Sequence, residues 1–345
     1  MALFSVPNVK IAGVSACVPK NTEDNLALEL LSESEREMFV KTIGIRYRRI
    51  AEKGTTAADL CRIAAEKLIA DLGWQKAEIS VLVFVSQTPD YIIPFTASTL
   101  QEQLGLSKNC LAFDVNLGCS GYVYGLSVVA SLLQNIKGGK ALLLVGDCSS
   151  SVISQQDKSV VPLFSDAGSA TALVVSENEV LHFNLQTDGK EFDDIIIRDG
   201  GLRSPFTSDS LLYAEIEKGV SRNGLQMKLD GMKIFNFALR EMPNNVQTLL
   251  QFANVELVKI SAAYFHQANL LMNERVRQKT AFLPEKTPYS LHDFGNTSSA
   301  SITVTIAAKP IAEKNVLLCG FGVGLSWGSA LVDLSRTRIL PLIEI

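Results

Sequence analysis

Several things are missing from this sequence. Its six cysteines (17, 61, 110, 119, 148 and 319) form no C-x-x-C pair and no metal-ligand spacing, which argues against a disulfide framework and a structural metal site. Histidine occurs only three times. No apolar run approaches the ~18 residues that a membrane span needs. The start, Met1-Ala2-Leu3-Phe4-Ser5-Val6-Pro7, lacks a charged region followed by a long apolar stretch, so no secretory signal is evident and a cytoplasmic protein with reduced thiols is expected. No excess of positive charge points to nucleic acid either, since the formal net charge is −4. Low-complexity segments and long Gly/Ser linkers are also missing, so any two halves should be packed rather than tethered.

What is present is apolar material for a large core: 47% hydrophobic residues against 20% charged, in 345 residues. That length suits two linked halves or one large α/β unit. Short apolar runs alternate with helical patterns, as in a layered α/β protein. Strands are expected at 81–85, 111–115, 141–145, 170–175, 260–265 and 316–318. Helices are expected over about 56–72 (Thr55 as N-cap), 120–134, 232–252 and 268–279. An internal echo supports duplication. Ala141-Leu142-Leu143-Leu144-Val145-Gly146 precedes Gly168-Ser169-Ala170-Thr171-Ala172-Leu173-Val174, and Val316-Leu317-Leu318-Cys319-Gly320 precedes Gly328-Ser329-Ala330-Leu331-Val332. The break falls within 176–202, which gives halves of 1–178 and 179–345.

One cysteine stands apart. In Phe113-Asp114-Val115-Asn116-Leu117-Gly118-Cys119-Ser120-Gly121 a strand ends, a small-residue turn follows, and an apolar helix begins at about Ser120. Cys119 is thereby expected at a helix N-terminus, where unpaired N–H groups and the macrodipole favour a thiolate with a depressed pKa. Most free cysteines are inert core residues, and Cys17, Cys61, Cys110 and Cys148 are read that way.

His182 and His292 lie in strand-like contexts with no chemistry around them. His266 closes the run Ala262-Ala263-Tyr264-Phe265 and opens His266-Gln267-Ala268-Asn269, at a strand end of the kind that faces a cleft. Alone it would read as a core histidine. Gly295-Asn296-Thr297-Ser298-Ser299-Ala300-Ser301 supplies a partner in a small-residue turn entering a helix, although Gly-Asn is also an ordinary turn dipeptide. Phe321-Gly322-Val323-Gly324-Leu325 is a glycine-rich loop able to hold N–H groups toward a developing oxyanion, without the context of a dinucleotide or phosphate cradle.

In this order the motifs resemble ketoacyl-acyl-carrier-protein synthase III of the thiolase superfamily. The likeness extends through Gly44-Ile45-Arg46, Phe164-Ser165-Asp166-Ala167-Gly168-Ser169-Ala170 and Gly324-Leu325-Ser326-Trp327-Gly328. It implies a five-layered αβαβα fold of two related halves, a homodimer, and no metal or bound cofactor, with CoA or acyl carrier protein (ACP) thioesters as substrates. By the same likeness Cys119 takes an acyl group from acyl-CoA or acyl-ACP, and His266 and Asn296 bind the malonyl-ACP carbonyl as CO₂ leaves. The N–H groups of Cys119 and Val323 would hold the oxyanion, with Phe321 walling the malonyl site beside Asn269. Degradative thiolases carry histidine where Asn296 stands and a second cysteine where Gly320 stands, so thiolase activity is not expected. The catalytic glutamate of hydroxymethylglutaryl-CoA synthases has no counterpart that can be placed here.

The departures lie at the mouth of the site. Met38 stands where the family stacks a tryptophan on the CoA adenine, Leu271 replaces an arginine expected to meet the carrier, Val323 replaces a glycine, and Lys158 stands where arginine is usual. Met38, Arg46, Lys158, Lys233 and Arg275 are the candidate CoA or carrier contacts, with Arg48, Arg49, Arg277 and Lys279 nearby; an ordinary solvated helix face accounts equally well for the last group. The leading expectation is a decarboxylative Claisen condensation in fatty-acid or specialised acyl-chain synthesis. An acyltransferase delivering to oxygen or nitrogen of a small molecule is the alternative. A non-catalytic tunnel-shaping subunit is a third reading, opposed by the presence of Cys119.

Overall fold

The computed structural model describes residues 2–345. Eight strands carry the architecture: β1 (Ala2–Val18), β2 (Ile79–Val85), β3 (Leu111–Val115), β4 (Lys140–Cys148), β5 (Asp166–Thr187), β6 (Ala262–Phe265), β7 (Val316–Gly322) and β8 (Ser326–Val332). The helices are α1 (Glu33–Ile43), α2 (Ala57–Asp71), α3 (Thr96–Gln103), α4 (Gly121–Leu133), α5 (Gly231–Ala253), α6 (Leu270–Lys279), α7 (Leu291–Phe294) and α8 (Ser301–Ala308).

The two long strands, β1 and β5, pair antiparallel along most of their length. Each passes through a residue with positive φ: Asn8 (62°), beside a register shift, and Asn178 (66°). Asparagine tolerates this left-handed backbone, which lets one strand bend from one half-sheet into the next. Beyond the bends, β1 residues 9–17 and β5 residues 168–175 pair with each other, and β4, β2 and β3 continue the sheet in that order. On the other side, β1 residues 2–7 and β5 residues 180–185 pair, and β8, β7 and β6 continue. The half-sheets repeat one pattern, two antiparallel steps and then a parallel one: β1–β5–β4 followed by β4–β2 in the first, and β5–β8–β7 followed by β7–β6 in the second. Residue 178 thus lies at the crossing point, while the first residues of the chain belong to the second half-sheet.

Three apolar layers follow from these faces. Tyr122, Leu126 and Val129 of α4 and Ile302 and Ile306 of α8 are buried between the half-sheets against Val81, Leu143, Leu181 and Leu318. Leu60 and Leu68 of α2 and Leu100 of α3 cover the outer face of the first half, against Phe84 and Leu142. Phe237 and Leu249 of α5 and Val276 of α6 cover the second, against Phe265 and Leu317. The result is the five-layered αβαβα arrangement.

Two local expectations need correction. The N-cap of α2 is Thr56, not Thr55: its side chain accepts from Asp59 N–H, and Asp59 reciprocates in a capping box. His292 sits in the short helix α7 rather than in a strand, with Nδ1 2.7 Å from Asp293 Oδ1.

Candidate active site

The central helices α4 and α8 occupy equivalent places in the two halves, and each is preceded by a small-residue turn. Cys119 lies before the first and Asn296 before the second, while His266 follows β6. Gly320 and Gly322 allow β7 to press against the cysteine turn. A Cβ at Gly320 would lie 2.8 Å from Ser120 Cα, and one at Gly322 would lie 2.7 Å from Cys119 Cβ. The position that would carry a second cysteine in a thiolase is therefore filled by the backbone of the nucleophile's own turn. Cys319 points away, buried in the outer cluster beside Phe265.

Cys119, His266 and Asn296 line one cavity of about 70 Å³, together with Asn269 and Phe321. The sequence-expected residues thus converge, with one correction. Helix α4 begins at Gly121 with Ser120 as N-cap, so Cys119 stands one residue outside the position where the macrodipole acts most strongly. Its thiol is pushed up to about 12, first by burial and then by the nearby Asp147 carboxylate, with hydrogen bonds from Ser298 and from the N–H groups of Cys119 and Val323 acting in the opposite direction. At rest the sulfur is a thiol, not the thiolate that the helix start suggests. The two backbone donors expected to hold an oxyanion both reach the sulfur's surroundings. Val323 is not among the positive-φ residues, so its β-branched side chain is accommodated.

His266 is buried, and that burial pulls its pKa down to about 3, leaving a neutral imidazole. Nδ1 lies 2.7 Å from Ser301 Oγ, which already accepts from Gln267 N–H at 3.2 Å. A Ser301 O–H that donates to Nδ1 leaves the ring proton on Nε2. Phe321 meets the ring edge-on, with centroids 5.6 Å apart. Asn296 is clamped by backbone bonds to Leu163 and Ser165, and its Oδ1 accepts from Ser298 N–H at 2.9 Å. That bond fixes Nδ2 as the donor side of the amide: one N–H reaches the Ala268 carbonyl at 3.4 Å, and the second is left for a ligand. Asn269 caps α6 through Oδ1 to Met272 N–H at 2.8 Å, so its side chain secures the cavity wall.

Sequence reasoning missed Asp147. This buried carboxylate accepts from Gln87 N–H (2.7 Å), Ser86 Oγ (3.2 Å), Ser299 Oγ (2.6 Å) and Ser299 N–H (3.2 Å). It therefore ties the asparagine turn of the second half to the strand ends of the first. A carboxylate just after the apolar run 141–145 was the available signal, since a charge at a buried strand end needs several donors.

The candidate contacts at the mouth do not form one basic patch. Lys158 pairs with Glu35 (3.0 Å), Arg46 with Asp24 (3.2 Å) and Lys233 with Asp194 (2.7 Å). Arg48 is interior, bound to Glu23 and Asn25; Arg49 reaches Glu344 and Arg277 reaches Glu274. Lys279 reaches the Leu239 carbonyl. Arg275 bonds only Gln278, without a carboxylate partner among the described residues. Met38 is exposed and shares a groove of about 720 Å³ with Lys158, Glu35 and Phe39.

Comparison with known proteins agrees with this geometry. Residues 113–189 match the family description 3-Oxoacyl-[acyl-carrier-protein (ACP)] synthase III, and residues 250–334 match its C-terminal counterpart. The chain is 33% identical over 334 residues to a putative 3-oxoacyl-[acyl-carrier-protein] synthase 3 of Campylobacter jejuni, covering 94% of this chain and 93% of that one. It is 32% identical to a beta-ketoacyl-[acyl-carrier-protein] synthase III of Clostridium perfringens, over 95% and 99% of the two chains. The solved structure of a 3-oxoacyl-(acyl-carrier protein) synthase from Burkholderia xenovorans superposes with a TM-score of 0.93 at 38% identity, over 99% of each chain. With the fold and the sequence matched along nearly its whole length, the chain belongs to the 3-oxoacyl-[acyl-carrier-protein] synthase III family of condensing acyltransferases.

Proposed function

We propose that this protein joins an acyl thioester to malonyl-ACP with loss of CO₂, through an acyl-Cys119 intermediate. The observation that carries the reading is the convergence of Cys119, His266 and Asn296 on one cavity. In the first half-reaction the Cys119 sulfur attacks the acyl carbonyl, its proton passes to the departing thiol, and the N–H groups of Cys119 and Val323 face the transient oxyanion. In the second, the neutral His266 and Asn296 Nδ2 donate to the malonyl thioester carbonyl as the C–CO₂ bond breaks. Two preorganised neutral donors suit an enolate, at about 3 kcal/mol of barrier each. The carbanion then attacks acyl-Cys119, and the thiolate leaves and is reprotonated. A neutral imidazole is required here, because an imidazolium would have to be desolvated.

CoA and ACP thioesters enter as substrates, and the scheme needs no resident cofactor or metal. The working unit is proposed to be a cytoplasmic homodimer, a reading supported by the exposed apolar run Tyr91, Ile92, Ile93 and Phe95. Incubation with a panel of acyl thioesters, followed by mass measurement of the Cys119 peptide and of CO₂ released from malonyl-ACP, tests the scheme. Adduct formation with malonyl-dependent CO₂ release is expected. An adduct without CO₂ would instead mark simple acyl transfer.

A further inference from the structure

Cys119 has a second neighbouring cavity, of about 330 Å³, which shares Ile195 with the first and is bounded near the nucleophile by Val323 and Ser298. On the proposed scheme this is where the acyl chain of acyl-Cys119 lies. A pocket for a plain hydrocarbon would be expected to be lined by apolar side chains. Here only part is: Ile195, Ile196, Ile197 and Met227 supply hydrocarbon, whereas Gln87, Asn116 and Ser149 supply two amides and a hydroxyl.

These three polar residues share a place in the fold. The strands β3, β2 and β4 are parallel neighbours, and Asn116, Gln87 and Ser149 come from the segments just beyond their C-terminal ends. In an α/β sheet those ends form the crevice where ligands bind. Their neighbours in the same wall are already occupied. Thr88 Oγ1 accepts from Cys148 N–H at 2.9 Å, and Asp147 accepts four hydrogen bonds. By contrast, the side chains of Gln87, Asn116 and Ser149 bond no other protein group among the described residues; Ser149 is only 3% exposed, whereas the amides of Gln87 and Asn116 are open to solvent until a ligand covers them. Gln87 also comes close to the reacting centre: a Cβ at Gly118 would lie 2.3 Å from its Oε1, so the glycine beside the nucleophile makes room for that amide.

We infer that the acyl group carried by Cys119 is short and bears a hydroxyl, and that Gln87, Asn116 and Ser149 select it while Ile195–Ile197 and Met227 cover its hydrocarbon. Amides and a serine hydroxyl can both donate and accept, which matches an alcohol. An unsubstituted chain would displace water from these groups and leave them unpaired, and that penalty is the source of discrimination.

The test is a competition for Cys119 between N-acetylcysteamine thioesters of equal length, butyryl against 3-hydroxybutyryl (each enantiomer) and 4-hydroxybutyryl. These small carriers bypass the mouth of the site, and the adducts differ in mass by one oxygen. At least one hydroxyacyl group should outcompete butyryl by about tenfold or more. Ser149→Ala and Gln87→Leu should move that ratio toward one; being a ratio, it is insensitive to the amount of active protein. Butyryl matching or beating every hydroxyacyl group, or a ratio unmoved by both substitutions, overturns the inference and leaves Cys119 as nucleophile. No adduct from any thioester, including acetyl and longer plain chains, overturns the nucleophile assignment itself.

Discussion

The interior of the site and its mouth are built on opposite plans. Inside, each functional side chain is held by uncharged groups: Ser301 on His266, Ser298 N–H on Asn296, and the N–H groups of Cys119 and Val323 on Cys119. At the mouth, charges cancel one another locally, Lys158 with Glu35 and Arg46 with Asp24. The interior is therefore sensitive to any single change, and the mouth should be forgiving. Substitutions can break that contrast or sharpen it.

The largest effect is expected at the sulfur. Cys119→Ala should abolish the acyl adduct and lower condensation by about 10⁴-fold or more, as for other covalent nucleophiles. Residual turnover near the wild-type level, measured as 3-oxoacyl product, would end the covalent scheme. Next comes pH. With the thiol pushed up to about 12, only its ionised fraction is nucleophilic, so the acylation rate should rise about tenfold per pH unit from about pH 6 to 9. His266 behaves in the opposite sense. Its pKa lies at about 3, so it stays neutral throughout that range, and malonyl decarboxylation should be flat. Stopped-flow acylation and CO₂ release measured on the same samples separate the two profiles. A flat acylation profile would mean that the sulfur is ionised at rest.

His266→Ala and Asn296→Ala should each reduce CO₂ release by about 10²–10³-fold, the usual loss for one preorganised donor, while the Cys119 adduct still forms. Loss of both half-reactions together would show that these residues hold the cysteine turn rather than the malonyl carbonyl.

This contrast also explains what was readable in advance. The strand runs, the Cys119 turn, His266 at a strand end and Asn296 in its small-residue turn are local patterns, and local patterns survive in a linear sequence. The resting state of Cys119 was not readable, because a helix start is local but the burial that opposes ionisation, and after it the Asp147 carboxylate 28 positions away, come from the tertiary fold. The same limit governs the basic residues. Lys158 looks like a free cation until Glu35, 123 residues distant, is found against it. The polar wall is hidden likewise, since Gln87, Asn116 and Ser149 become neighbours only through the pairing of β3, β2 and β4.

The smallest effect is expected at Lys158, and it is the one that decides how the mouth works. Glu35 is held down to about 2, first by Ser32 N–H and then by Lys158, so the carboxylate is ionised and occupies the ammonium throughout the working pH range. By sign, a carboxyl with a lowered pKa contributes stability above its ordinary range near 4.5, and that contribution fades as pH falls toward 2. The pair is exposed enough for salt to weaken it. Lys158→Ala should therefore shift Tm by no more than about 2 °C and change kcat/KM for a CoA thioester by less than about threefold. Glu35→Gln gives the sharper result. It frees the ammonium, and KM for the CoA thioester should fall by about two- to threefold while KM for the N-acetylcysteamine thioester stays put. A tenfold or larger loss in Lys158→Ala, confined to the CoA thioester, would show instead that the lysine leaves Glu35 to bind phosphate, and the mouth would then be as specific as the interior.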